Sequence, residues 1–471
     1  MEALINKNYH HFWLISLMII LSFISMAFYY AVVDPELALA KSLVFINIAI
    51  VAISVLNDIT TKKFDLFNVK IIFLVYFSLQ FIIWPIMILW VGLTRRPIEI
   101  DGYYTLSLFY SVLGLLFFLI GNSLSSKVTL TKSEYSPSDS WSVTLIWALV
   151  FCCIIFGYLA FLKLMQFTGG ISNYISLSGY YRSGGFKGLG SLVYLSTTIL
   201  ALPILFYTTT YFRHPHRVSA FNLFVLGCLV FICLFPAAVI GYRTAILFPL
   251  MQLLLIYNYT QKKLSGSFLV FSSIIVLFFM MGLGYWRQQI SIPDANMLTI
   301  FGLELIETAS RFNASEVVAI TIKKLEETGN FAFGIPSLLS FFTIIIPRAI
   351  YPDKIESMSV RFSQEIMADW FPSGIDPSGV APSIIGEMYW HFSIFGVTIG
   401  LAIFGFICGR IYKFAMLHIR NRSILVLYSV FYSYVFFAAE APTVATNGFI
   451  PLILVITIFI ACLNTGKLFS K

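Results

Sequence analysis

Glu387 and His391 stand four residues apart in the stretch APSIIGEMYWHF. On a helix this spacing puts both side chains on one face. A carboxylate and an imidazole placed so can take a proton from a hydroxyl, the work of a general base. The other reading of Glu387 is as the ion-pair partner of a neighbouring arginine, and the two roles are compatible.

Cations supply the second half of the chemistry. Arg182 and Lys187 lie in GYYRSGGFKGLG, Gly179 to Gly190. The five glycines there let backbone N–H groups and side-chain cations converge on an anion, unless the stretch is a plain re-entry loop. Arg243, in GYRTAI, sits between two apolar runs, at a depth where an arginine is costly unless paired or facing water. Snorkelling toward headgroups is the alternative. Arg311, in SRFNASE, follows Glu307 by four positions, which also suits an ordinary helical ion pair. Arg348 and Lys354 flank the rigid turn made by Pro347 and Pro352 in IPRAIYPDK. Downstream, Ile355, Met358, Phe362, Ile366 and Trp370 recur at near-helical spacing. They predict an amphipathic helix with Arg361 and Glu365 on its polar face, lying on a membrane or over a cavity.

The elements that must position these groups are set by composition. Hydrophobic residues make up 59% of the 471, charged residues 11%, and mean hydropathy is +0.88. A soluble domain carries about 25% charged residues, so the chain reads as an all-α polytopic membrane protein. About 20 apolar residues cross a bilayer. Twelve such runs are expected, near 12–33, 38–56, 71–93, 103–124, 141–166, 190–211, 221–240, 244–259, 267–286, 383–409, 423–439 and 447–464. The first reads as an uncleaved span, because it exceeds a signal core and lacks a small-x-small cleavage site.

Lysines and arginines alternate between loops. Lys62, Lys63, Lys70, Lys127, Lys132, Arg213, Arg217, Lys262, Lys263, Arg410, Lys413, Arg420 and Arg422 fall in one set, together with the basic residues of both ends. By the positive-inside tendency that set is cytoplasmic. Residues 1–286 are then nine spans, 287–382 one long periplasmic segment, and 383–471 the last three spans. Half of the acidic residues lie in the long segment, so its arginines are individual features and not part of a basic field. All six cysteines fall in apolar runs and read as small core residues, without disulfide or metal spacing. No nucleotide-binding glycine pattern or internal repeat is evident. No cofactor, metal or nucleic-acid partner is expected.

Taken in order, GYRTAI, SRFNASE, IPRAIYPDK and APSIIGEMYWHFSIFG resemble the Wzy family of O-antigen and oligosaccharide repeat-unit polymerases. The blocks cover roughly residues 240–400, and the first half is similar in hydropathy alone. The resemblance implies a metal-independent, GT-C-like polytopic glycosyltransferase of the bacterial inner membrane. Its implied donor and acceptor are undecaprenyl-pyrophosphate-linked oligosaccharides, joined at the periplasmic face, with a chain-length regulator (a polysaccharide co-polymerase) as partner. Arg243, Arg311, Arg348 and Glu387 carry over most directly from the family pattern, Lys354 and Arg361 less so. The arginines would hold the departing pyrophosphate bidentately, with Glu387, or His391 after it, as the base.

Two other functions share this outline. An O-antigen ligase has the same polytopic plan but passes finished chains to lipid A core. A flippase of lipid-linked sugars would instead show internal repeats and polar groups at the midplane.

Overall fold

The computed structural model describes residues 35–92, 102–127, 141–176, 189–212, 219–268, 312–343, 358–368, 381–440 and 442–465, with single residues at 272, 282 and 351. The long apolar runs fold as helices: α1 (Pro35–Thr60), α2 (Val69–Val91), α3 (Gly102–Lys127), α4 (Val143–Phe167), α5 (Gly190–Tyr211), α6 (Ala220–Ile240) and α7 (Arg243–Thr260). Three shorter helices follow: α8 (Ala314–Thr328), α9 (Ile335–Thr343) and α10 (Met358–Glu365). The chain then continues in α11 (Ser383–Leu417), α12 (Arg422–Ala438) and α13 (Pro442–Thr465). No strand occurs among the described residues.

Seven of these helices, α1 to α6 and α11, are long and apolar enough to cross a membrane. At 1.5 Å per residue the 26 residues of α1 reach about 39 Å, beyond the roughly 30 Å hydrocarbon layer. α12 and the stretch Gly448–Leu463 of α13 are apolar but shorter. The expected span at 244–259 is the 18-residue helix α7. The first expected span lies outside the described residues, and the ninth lies almost entirely outside them.

Local chemistry sets several boundaries. Asn68 caps α2 by accepting the Lys70 N–H at 2.9 Å, and Asn421 caps α12 by accepting from Ser423 and Ile424. Gly241, at φ 77°, ends α6 in the left-handed conformation, so only Gly241 and Tyr242 separate α6 from α7. Large apolar side chains such as Phe156, Phe224 and Phe231 stay exposed on the outer helix faces, where lipid is the solvent. Cys153, Cys233 and Cys408 are buried as expected. Cys152, Cys228 and Cys462 instead lie on exposed faces, which corrects the core reading for those three.

Among the described residues, α3 and α11 pack with their backbones in contact. A Cβ on Gly121 would run into the Ala402 carbonyl, one on Gly405 into the Phe118 carbonyl, and one on Gly409 into the Ser125 hydroxyl. Small residues at four-residue spacing let the two backbones touch, as lipid-embedded helices require in place of a hydrophobic drive. Asn47 adds a buried hydrogen bond from α1 to Ser111 of α3 at 2.8 Å.

Two helices of the 287–382 stretch, α8 and α10, share one apolar cluster with the bundle. Val317, Val318, Ile322 and Leu325 of α8, Phe362 of α10, and Ile366 just after α10 are all buried in it. The amphipathic helix expected downstream of Lys354 is present over the described residues Met358–Glu365. Its apolar side faces protein, with Phe362 edge-on to Trp390 at 5.3 Å. Ile355 and Trp370, expected on the same helix, lie outside the described residues.

The helix ends fall on two sides. Tyr259 near the end of α7, Tyr412 near the end of α11 and Tyr428 near the start of α12 all meet the Asp65–Phe67 turn between α1 and α2. Arg243 at the start of α7, and the end of α12 where the Ile384 N–H donates to the Ala439 carbonyl at 3.1 Å, are therefore together on the opposite side.

Candidate active site

The helix α11 is broken. Phe392 (φ −140°, ψ 21°) and Ser393 (φ 54°, ψ −145°) leave helical geometry, dividing a short segment, 383–391, from a rod, 394–417. Straight, 35 residues would measure about 52 Å, far more than a bilayer needs. The break leaves carbonyls at the end of the short segment without helical partners. Two are satisfied from outside: the Ala332 N–H donates to the Trp390 carbonyl at 3.0 Å and the Phe333 N–H to the His391 carbonyl at 3.2 Å. This pairing lays the start of α9 beside His391.

The short segment carries Glu387 and His391, which are 1% and 4% exposed. As the spacing predicts, they face each other, with His391 Nε2 3.9 Å from Glu387 Oε1. Glu387 sits at the N-terminus of α13. Pro442 suits the first position of that helix, and the Thr443 N–H donates to both carboxylate oxygens, at 3.1 and 3.3 Å. A helix N-terminus is a favourable place for negative charge. The Thr443 hydroxyl also bonds Glu387 Oε1 and lies 2.8 Å from Ser337 Oγ on α9. Ser337 Oγ in turn lies 2.6 Å from His391 Nε2. Carboxylate, two hydroxyls and imidazole thus form one closed set drawn from three segments of chain. A second carboxylate, Glu440, hydrogen-bonds the Tyr76 hydroxyl just before α13.

Two openings lie near this end of the bundle. A polar cleft of about 520 Å³ is lined by Lys324, Asn330, Pro336, Arg361 and Glu365, among others. It reaches the residue next to Ser337. Arg361 forms an i,i+4 ion pair with Glu365 there, and Phe362 beside it packs on Trp390, the residue before His391. The other opening is an apolar groove of about 400 Å³ between α5, α7, α12 and α13. Tyr242 and Thr244 line it, flanking the half-buried Arg243, as do Phe248, Tyr434 and Gly448. Gly448 is five residues along α13 from Thr443, about 7.5 Å of helix rise.

Of the residues singled out by sequence, the structure brings Glu387 and His391 together, places Arg361 in the cleft beside Phe362, which packs on Trp390, and puts Arg243 at the same side of the bundle. Arg182, Lys187, Arg311, Arg348 and Lys354 lie outside the described residues. Sequence reasoning missed Ser337 and Thr443. The only available signal was Thr443 in APTVAT, directly after a proline fit to open a helix. Among the described residues no three His, Cys, Asp or Glu side chains cluster as they would around a metal ion.

An all-helical, multi-pass membrane protein with a sealed carboxylate–hydroxyl–imidazole set at one end of its bundle is the class these features define. The chain belongs to the O-antigen polysaccharide polymerase Wzy family, whose sequence profile matches residues 11–471. The match thus extends well beyond the blocks at 240–400, over nearly the whole chain. No curated protein and no solved structure matches it. Membership makes the protein a polymerase of the O-antigen polysaccharide.

Proposed function

We propose that this polymerase transfers the growing glycan from one undecaprenyl-pyrophosphate carrier to a sugar hydroxyl of an incoming lipid-linked repeat unit. The reaction takes place at the periplasmic face of the bacterial inner membrane. Twelve spans, with both termini in the cytoplasm and residues 287–382 outside, form a GT-C-like scaffold, and a chain-length regulator works beside it.

The observation that carries this reading is the sealed Glu387, held on both oxygens by the start of α13 and linked through hydroxyls to His391. A buried carboxylate anchored this way is a fixed proton acceptor for an attacking hydroxyl. In the transfer the sugar oxygen bonds to the donor's anomeric carbon, and the bond to pyrophosphate breaks with its electron pair. Arg243 at the mouth of the apolar groove, with Arg361 in the cleft and Arg348, Arg311, Lys354, Arg182 and Lys187 as further cations, neutralises that charge. Guanidinium groups hold phosphate oxygens bidentately and stay ionised, so they can do this without a metal ion. The groove takes a polyprenyl tail, being apolar and open beside Arg243.

Glu387→Gln tests the assignment. In cells lacking their own copy, the inserted variant is expected to leave glycans of a single repeat unit. A full ladder of chain lengths from that variant would refute the role of Glu387.

A further inference from the structure

We propose that Ser337 and Thr443 form a hydroxyl relay that delivers the proton of the attacking sugar hydroxyl to Glu387, with His391 orienting the outer end. The inference rests on Glu387 being the final proton acceptor.

The direction of the relay follows from counting protons. The Thr443 hydroxyl has one hydrogen and two neighbours, Glu387 Oε1 and Ser337 Oγ. The Thr443 hydroxyl donates toward both of them. An ionised carboxylate can only accept, so in the relay the one Thr443 hydrogen goes to Glu387, and the Ser337 O–H turns to donate to Thr443. The Ser337 hydrogen is thereby committed to Thr443. Ser337 Oγ must then accept from His391 Nε2, 2.6 Å away. The imidazole is fixed as the Nε2–H tautomer with Nδ1 bare. This agrees with its surroundings, since His391 Nδ1 is buried with no hydrogen-bond partner among the described residues. Buried acceptors are left unpaired more readily than buried N–H groups.

Exposure sets where the proton enters. Glu387, His391 and Thr443 are all buried, whereas Ser337 is half-buried and directly follows Pro336 at the edge of the Arg361 cleft. Glu387 is therefore reached through Ser337. Ser337 Oγ has two lone pairs, one taken by His391 Nε2–H and one left for a sugar O–H.

The step balances. The sugar proton passes to Ser337 Oγ, the Ser337 proton to Thr443 Oγ1, and the Thr443 proton to Glu387 Oε1. The sugar oxygen gains its bond to the anomeric carbon, and pyrophosphate leaves with the electron pair. Reverse passage returns the proton to water at Ser337 once the product has moved.

The test uses purified full-length protein with undecaprenyl-pyrophosphate-linked repeat units. Ser337→Ala and Thr443→Val are expected to lower turnover by about 100-fold or more, the scale of acid–base catalysis, with KM changed only a few-fold. Ser337→Thr and Thr443→Ser, which keep the hydroxyl, are expected to stay within about tenfold of the parent by the same measure. Turnover of the parent in mixtures of light and heavy water should give a bowed proton inventory, and Ser337→Ala a straight one. Full turnover in Ser337→Ala and Thr443→Val, alongside an inactive Glu387→Gln, overturns the relay and leaves the base assignment standing. Equal losses in hydroxyl-keeping and hydroxyl-lacking variants also overturn it, since packing would then explain the loss. An active Glu387→Gln removes the reading on which the relay rests.

Discussion

The Tyr412 hydroxyl donates to the Asp65 carboxylate at 2.8 Å, tying the end of α11 to the turn between α1 and α2. Tyr259 from α7 donates to the same oxygen, and Tyr428 and Tyr432 from α12 bond the carbonyls of Phe67 and Leu66. Three distant helices thus converge on a single turn. Removing one hydroxyl by Tyr412→Phe is expected to cost about 0.5–1.5 kcal/mol of stability. Losing both the Tyr259 and Tyr412 hydroxyls leaves the carboxylate poorly served and should cost more than the two single changes added. Thermal melting in detergent measures both. Turnover per folded molecule should not change, because Tyr412 and Glu387 stand near opposite ends of α11.

The α3–α11 seam predicts a different failure. Gly405→Leu forces a side chain into the Phe118 backbone, and overpacking of this kind costs about 1–3 kcal/mol or more. The expected result is a sharp fall in inserted protein and a lower melting temperature. Gly227→Leu, in α6 where a Cβ meets nothing within 4 Å, serves as the control and should insert normally.

Arg243 separates charge from shape. Lysine keeps the charge but lacks the planar fork. If Arg243 grips the pyrophosphate bidentately, Arg243→Lys loses a charge-assisted hydrogen bond worth about 1.5–3 kcal/mol. That corresponds to roughly a ten- to hundredfold rise in KM. An unchanged KM for the lipid-linked donor would remove Arg243 from the binding site.

The Arg361–Glu365 pair is more than a third exposed at both side chains, where such pairs contribute about 0–1 kcal/mol. Glu365→Gln should therefore leave stability near that of the parent. With Arg361 released to meet phosphate, donor affinity is expected to hold or rise, whereas Arg361→Ala should weaken it. A chelator should leave both proteins as active as before, and inhibition by the chelator would count against arginine-based neutralisation.

Sidedness can be checked directly. In a background without the six native cysteines, a cysteine at Lys62 should react only with reagents that enter the cytoplasm. A cysteine at Lys323 should react with impermeant reagents added from the periplasm. The reverse pattern would invert the proposed orientation.

The helices were legible because apolar runs of about 20 residues have one stable solution in lipid. The Glu387–His391 pairing was legible as well, since a four-residue spacing fixes a shared face. The break at Phe392–Ser393 was not. Neither residue is a proline or glycine, and the geometry is held by hydrogen bonds from Ala332 and Phe333, some 60 positions earlier. Ser337 and Thr443 were hidden for the same reason. A lone hydroxyl in an apolar segment has no period, and its partner is chosen only when separate helices come together. The expected amphipathic helix was found in place, but its hydrophobic side packs on Trp390, which periodicity alone cannot distinguish from a side facing lipid.

The interruption of α11 has a consequence for how such an enzyme can diversify. The rod 394–417 is locked against α3 by backbone contact, with no room for a side chain at Gly405 or Gly409. The preceding nine residues are steered by hydrogen bonds instead, from the turn before α9 and from the start of α13. Substitutions in those two neighbours can therefore re-aim the reacting groups toward a differently shaped sugar while the anchoring in the bilayer stays put, leaving glycan specificity free to drift on an unchanging frame.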